Sequence, residues 1–211
     1  MTVLSDSCLL YTSRDIALVY QADEISSIAI SITKIFRYCI KAGNVVSIAD
    51  EMNCIDDYIN IIQVRYRNRF IINRNVDPEL LPLKTMKFVL QPIIENAIFH
   101  GLELKSGSGT LSISGTMLED SSIFFKVFDN GIGIEPEKLK KMQEALTNDL
   151  YVDSTSNHTG IGLLNIHNRI RNTYGAEYGL SLDSRQGEWT CVTIRFPQHI
   201  PQDSINRHLR Q

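Results

Sequence analysis

The apolar run Ile123-Phe124-Phe125-Lys126-Val127-Phe128 reads as a strand, and it ends on Asp129-Asn130-Gly131-Ile132-Gly133-Ile134. No other stretch constrains the chain so tightly. One acidic side chain closes a strand, and two glycines follow at a spacing of two. A carboxylate placed there accepts a hydrogen bond from an exocyclic amine. Glycines there let a flat ring come close to the backbone, because no Cβ stands in the way. The same residues also describe a strand that simply ends in an Asx-Gly turn. The rest of the chain has to separate these two readings.

The 211 residues are 43% hydrophobic and 21% charged, which is ordinary globular composition for one large or two small domains. The net charge of -3 gives no reason to expect nucleic acid or an anionic membrane as a partner. Cys8, Cys39, Cys54 and Cys191 are scattered, with no C-x-x-C, and read as buried thiols of a reducing compartment. No apolar run reaches the ~18–20 residues of a membrane span, and no signal peptide opens the chain. The expected location of the chain as given is the cytoplasm.

Met1 to Ser13 follow no period. Cys8-Leu9-Leu10-Tyr11-Thr12-Ser13 translates one frame of a transposon end used in sequencing libraries. The expectation is therefore a disordered or artefactual stretch over 1–14, with part of a longer gene missing before it. Helical periodicity begins near Asp15: Ile25, Ile28, Ile32, Ile35 and Cys39 share one face, and Gly43-Asn44 stops the helix. Ser47 stands three before Asp50 as in a capping box, and Ile48, Met52, Ile55, Ile59 and Ile62 form the next stripe. This predicts a helical hairpin over 15–69 whose stripes need a further partner: the following domain, a second copy, or both. The cations of Arg65-Tyr66-Arg67-Asn68-Arg69 suit a helix C-terminus.

Phe70 to Val76 alternates as a strand, and Leu83 to Phe99 reads as a helix interrupted near Pro92. Leu111–Ser114 and Ile123–Phe128 read as antiparallel strands, Pro136–Leu146 as a short helix and Thr147–Thr159 as a loop. Gly160–Tyr174 reads as a helix, Tyr178–Leu182 and Thr190–Phe196 as a last strand pair, and 198–211 as a tail. The order predicts an α+β fold over 70–197: a two-layer α/β sandwich with a mixed sheet and helices on one face, preceded by the hairpin.

Three further groups accompany Asp129. Asn96 and His100 are four apart in Leu90-Gln91-Pro92-Ile93-Ile94-Glu95-Asn96-Ala97-Ile98-Phe99-His100-Gly101, so they share a helix face. An amide oxygen is a hard ligand suited to Mg²⁺, and an imidazole can donate to a phosphate oxygen. Gly160-Ile161-Gly162-Leu163 opens a helix with free N–H groups, a ready anion site, or else a hinge. Thr190, after Gly187-Glu188-Trp189, offers a hydroxyl beside the carboxylate.

Glu95-Asn96-Ala97, Asp129-x-Gly131-x-Gly133 and Gly160-x-Gly162-Leu163 resemble, in order and spacing, the N, G1 and G2 boxes of the ATP-binding domain shared by histidine kinases, DNA gyrase, Hsp90 and MutL. The finer resemblance is to sensor histidine kinases of the LytS/YesM type. Leu90–Gly101 is similar to their LQPxxENAxxHG, and Gly160–Ile166 with Arg169 and Tyr174-Gly175 to their GIGLxNxxxRL…YG. Phe36-Arg37-Tyr38 and Glu51…Tyr58…Arg65-Tyr66 resemble the linker before their ATPase domain. The resemblance runs from about Ile25 to Pro197. It implies the Bergerat ATP-binding fold, ATP and Mg²⁺, a homodimer through the helical region, and a response regulator as partner. It also implies Asp129 on the adenine amine, Gly131 and Gly133 beside the ring, Asn96 on Mg²⁺ and His100 near phosphates or ribose. Gly160, Gly162 and Leu163 would line the triphosphate behind a lid, with Thr190 beside the purine.

Two departures stand out. The N-P-H-F phosphoacceptor segment of that family is absent, since the histidines are His100, His158, His167, His199 and His208. The expectation is thus a kinase's ATP site without its own target, a fragment of a membrane sensor anchored only by a missing N-terminal part. Trp189 also replaces a glycine and is expected to narrow the pocket floor. The alternative is an ATP-binding or ATP-hydrolysing module. Hydrolases of this fold place a general-base Glu four residues before the Asn, and here that residue is Pro92.

Overall fold

A computed structural model of the chain describes residues 23–41, 43–147 and 161–200. The expectations for 1–14, Gly160, the lid segment and most of the tail lie outside them. In chain order the elements are α1 (Asp23–Ile40), β1 (Val45–Ser47), α2 (Ile48–Arg65), β2 (Phe70–Val76) and a single 3-10 turn (Pro78–Leu80). Then come β3 (Lys84–Met86), α3 (Gln91–Asn96) with a wider π-type continuation (Ala97–Leu102), β4 (Gly109–Met117) and β5 (Ser122–Asp129). α4 (Pro136–Thr147), α5 (Ile161–Tyr174), β6 (Gly179–Arg185) and β7 (Trp189–Pro197) complete them.

Five strands form one sheet in the order β2-β4-β5-β7-β6. β2 runs parallel to β4, and the remaining pairs are antiparallel. The sheet is therefore mixed, as its α+β order predicts. Along β4 and β5 buried and less buried residues alternate, the period-2 signature of a sheet covered on one face. The covered face supplies Leu111, Ile113, Phe125, Val127, Val192, Ile194 and Phe196 to the core, with Phe125 and Tyr174 both stacked on Phe196. The helices contribute Ile93, Ile94 and Ile98 from the α3 region and Leu163, Ile166 and Ile170 from α5.

The hairpin is only half as expected. Ile48, Met52, Ile55, Ile59 and Ile62 of α2 are buried in the same core as the sheet. Ser47 and Asp50 cap α2 reciprocally, Ser47 Oγ accepting Asp50 N–H at 3.0 Å and Asp50 Oδ2 accepting Ser47 N–H at 3.2 Å. The stripe of α1 faces outward instead: Ile25 and Ile32 are 58% and 40% exposed. Because α2 spends its apolar stripe on the core, α1 meets its polar flank. Asn60 donates to Ser27 and Ser31, and Lys34 pairs with Asp57.

The helix expected from Leu83 starts eight residues later. Lys84–Met86 pairs with Val45–Ser47 as a short antiparallel ladder, and Phe88 takes a left-handed φ of +58° that no helix tolerates. Pro92 lies in the first turn of α3, where its missing N–H costs nothing. Met86, Val89, Leu90, Ile93, Ile94, Ala97 and Ile98 of this stretch are nevertheless buried. The thiols differ too: Cys54 is buried but Cys39 is exposed. Arg69 caps a helix end other than its own, donating to Gly107 O at 2.6 Å and to Leu102 O at 3.3 Å.

Candidate functional site

Asp129 is the last residue of β5 and stands opposite Leu111 of β4 and Thr190 of β7. Strand alternation turns its side chain to the covered face, where it is 2% exposed. Its Oδ1 accepts the Gly131 N–H at 2.9 Å. Burial pushes the carboxyl up to about 6, against the opposing pull of that N–H and of the nearby Lys105 ammonium. At neutral pH it is mostly ionised, with acceptor capacity to spare.

The backbone crowds this carboxylate from two sides. A Cβ on Gly101 would collide with the Asp129 carboxylate, and one on Gly131 would collide with the Gly101 carbonyl. Ile132 N–H donates to that same carbonyl at 3.2 Å. Gly133 has φ +65°, and a side chain there would run into the Arg185 backbone. Gly187 N–H donates to Ile132 O at 2.6 Å, which ties the loop after β5 to the β6–β7 turn. Both glycines of the motif are therefore required by contact or conformation. Gly101 is required equally and was not among the expected site residues. Its signal was its place at the end of the LQPxxENAxxHG-like segment Leu90–Gly101.

Above Asp129 opens a cleft of about 580 Å³. Its walls are apolar: Ile93, Ala97, Val127, Met142, Leu163, Leu182 and Val192. Asn96 and His100, Asp129, Gly133, Leu163 and Thr190 all line it, so the structure brings these expected residues together. Leu104, Ile132, Ile134, Glu135, Lys138 and Gln186 line it as well. Sequence reasoning missed these because loop and helix residues reach the cleft only after folding. Gly131 lies beneath the wall against Gly101, and Gly162 at the start of α5 would place a Cβ 3.7 Å from Asn96 Nδ2.

Asn96 Nδ2 donates to Pro92 O at 2.7 Å. That fixes the amide and leaves Oδ1 as a hard oxygen ligand, which suits Mg²⁺, a cation that takes few protein ligands and keeps water and phosphate oxygens. The described residues contain no cluster of three or more His, Cys, Asp or Glu side chains able to hold a metal. The Thr190 hydroxyl lies 3.1 Å from Ser184 Oγ. Trp189 does not narrow the floor as expected. One residue earlier on β7, it points to the opposite face and stacks on Phe128 with centroids 6.1 Å apart.

Comparison with known proteins agrees with this geometry. The chain is 27% identical over 167 residues to the sensor protein kinase HptS of Staphylococcus aureus (strain USA300), covering 79% of this chain and 31% of that protein. It thus spans about a third of the length of the curated relatives it matches. The fold is similar to the histidine kinase domain of the Erythrobacter litoralis EL346 blue-light activated histidine kinase, with a TM-score of 0.50 and 15% identity over 83% of this chain and 75% of that one. A "Histidine kinase" family model matches residues 9–70. The model described as "Histidine kinase-, DNA gyrase B-, and HSP90-like ATPase" matches residues 83–200, more than half of the chain and all of the cleft's described walls, and the chain belongs to that ATPase family.

Proposed function

We propose that the cleft binds ATP with Mg²⁺ and that the chain is the ATP-binding catalytic region of a two-component sensor histidine kinase of the LytS/YesM type. The observation that carries this reading is Asp129: an acidic group buried at the floor of an apolar cleft, crowded by backbone that only glycine permits. A buried carboxylate is costly unless it meets a donor, and the adenine amine is such a donor on a flat ring. Asn96 Oδ1 would hold Mg²⁺, which when bound would supply charge neutralisation for phosphoryl transfer. Gly162, at the start of α5, would lie beside the phosphates, a role proposed for Gly160 as well, and His100 and Thr190 would complete the site.

The activity proposed for the parent protein is transfer of the γ-phosphoryl group to a histidine for relay to a response regulator. The rival reading is an ATP-binding or hydrolysing module. The residue one turn before Asn96 is Pro92, which offers a carbonyl rather than a carboxylate. Glu95 is engaged by Gln91 Nε2 at 2.9 Å. Both features favour the kinase, because neither residue stands as a free general base for water. Boundaries of 15–69 for the helical linker and 70–197 for the ATP domain belong to the same proposal. So do a homodimer through the exposed face of α1 and a membrane-anchored parent. No helix among the described residues is long and apolar enough to cross a membrane.

The test is incubation with labelled ATP and a separately supplied phosphoacceptor helix. Label on the added histidine is the expected result. Steady phosphate release without it favours the hydrolase, and nucleotide binding with neither favours the module.

A further inference from the structure

Residues Lys87 to Leu90, which lead into α3, are held from three elements. Glu51 of α2 is 1% exposed. Its Oε1 accepts Phe88 N–H at 2.6 Å, and its Oε2 accepts Val89 N–H at 3.1 Å and Leu90 N–H at 3.2 Å. Tyr38 of α1 donates its hydroxyl to Glu51 Oε1 and packs its ring edge-on against Phe88 at 5.2 Å. Farther along α2, Cys54 Sγ lies 3.4 Å from Gln91 Oε1. Lys87 Nζ donates to Cys39 O and Lys41 O at the end of α1, both at 3.0 Å. From α5, Arg169 Nη2 donates to Lys87 O at 2.8 Å.

Ordinary helix starts are capped by a neighbouring side chain. Here the acceptor for three consecutive N–H groups comes from another element, 37 to 39 residues earlier. It is a buried carboxylate, the most expensive group to use for the purpose. Burial pushes the Glu51 carboxyl up, while Tyr38 and the three N–H donors draw it back toward the ionised form. Phe88 keeps a left-handed backbone that a bulky residue adopts only when its surroundings over-determine it. The helix so started carries Asn96 and leads into His100, which line the cleft. Asp129, on β5, touches none of this network.

We propose that Glu51 is a positioning residue of the nucleotide site, through which the helical hairpin sets where the Asn96 helix begins. Tyr38 reports the position of α1 to the same carboxylate. Movement of α1 against α2 then shifts the metal and phosphate end of the site while the adenine end stays on the sheet. This rests on the ATP reading of the cleft, with Asn96 at the metal and Asp129 at adenine.

The test is calorimetric titration of the 211-residue chain with adenosine and, separately, with Mg²⁺-ATP. In Glu51→Gln an amide NH2 replaces one of the two carboxylate oxygens, so the N–H groups on that oxygen lose their acceptor. The expected result is about tenfold weaker Mg²⁺-ATP binding, with adenosine binding within about twofold of wild type and faster amide exchange at 88–90. Tyr38→Phe keeps the ring and is expected to move the same ratio by about threefold. If the two ligands weaken together, or neither moves, the proposal is overturned. Should Glu51→Gln fail to fold, Tyr38→Phe decides alone, and an unchanged ratio overturns the proposal. Asp129→Asn separates the two levels: adenosine binding that survives intact there sinks the ATP reading, whereas its loss there beside an unchanged ratio in Glu51→Gln sinks only the role of Glu51.

Discussion

Asp129 is where the sequence motif turns into a physical constraint. Its carboxyl is raised from 3.8 to about 6, so the folded chain holds the proton more tightly than the unfolded chain does. Stability from this residue is full below about pH 4 and is lost as pH rises through 6, a span of roughly 2–3 kcal/mol. Asp129→Asn is therefore expected to melt no lower than wild type at pH 7.5, with its advantage shrinking toward pH 4. Thermal unfolding across that range checks it. Adenosine affinity is expected to run the other way in wild type, falling as pH drops through 6, because the amine needs the ionised acceptor. Titrations at pH 5 and 7.5 test that, and Asp129→Asn should lose adenosine binding and its pH dependence together. Gly101→Ala makes the companion test. Its methyl group would collide with the carboxylate, so a loss of adenosine affinity of tenfold or more is expected with the fold retained, a cost of order 1–3 kcal/mol for overpacking.

Two elements carry predictions of their own. Ser47 and Asp50 satisfy each other's backbone at the start of α2, and the Ser47 hydroxyl and N–H hold the Asp50 carboxyl below its ordinary value. Ser47→Ala is expected to cost about 1 kcal/mol in a denaturant titration, with nucleotide affinity unchanged. α1 presents Ile25, Ile32 and Ile40 to solvent, each at least 40% exposed. If that face joins two chains, Ile32→Glu lowers the mass seen in light scattering without weakening nucleotide binding. Equal masses in both proteins would remove α1 as the dimer surface.

At the scale of the whole molecule, one core runs from α2 through α3 and α5 to the sheet. The second helix of the hairpin, α2, is therefore not an appendage that can melt while the cleft survives. Ile55 is fully buried at the middle of α2, so Ile55→Ala is expected to cost about 2–5 kcal/mol. It should also lower the midpoint for loss of helicity and for loss of nucleotide binding by the same amount. Separate midpoints would show two independently folding parts.

Much of this was legible in the residues. The strand pair around Asp129, the short helix after Pro136, the capping box and the α+β order follow from local periodicity and turn chemistry, which neighbouring residues dictate. The three boxes marked Asn96, Asp129 and Leu163, far apart in sequence, and all three line one cleft. What the sequence left open depended on partners distant along the chain. Lys84–Met86 reads as helix until β1 is there to pair with it. The isoleucine stripe of α1 reads as buried, yet α2 has only a polar flank to offer it. Trp189 reads as an obstacle until the register of β7 turns it to the other face. Glu51 reads as part of a linker motif on an amphipathic helix, and only packing puts it against the three N–H groups that lead into the Asn96 helix. Local pattern determined which residues make helix, strand and motif; the tertiary structure decided which faces meet, because burial and pairing belong to both partners of a contact.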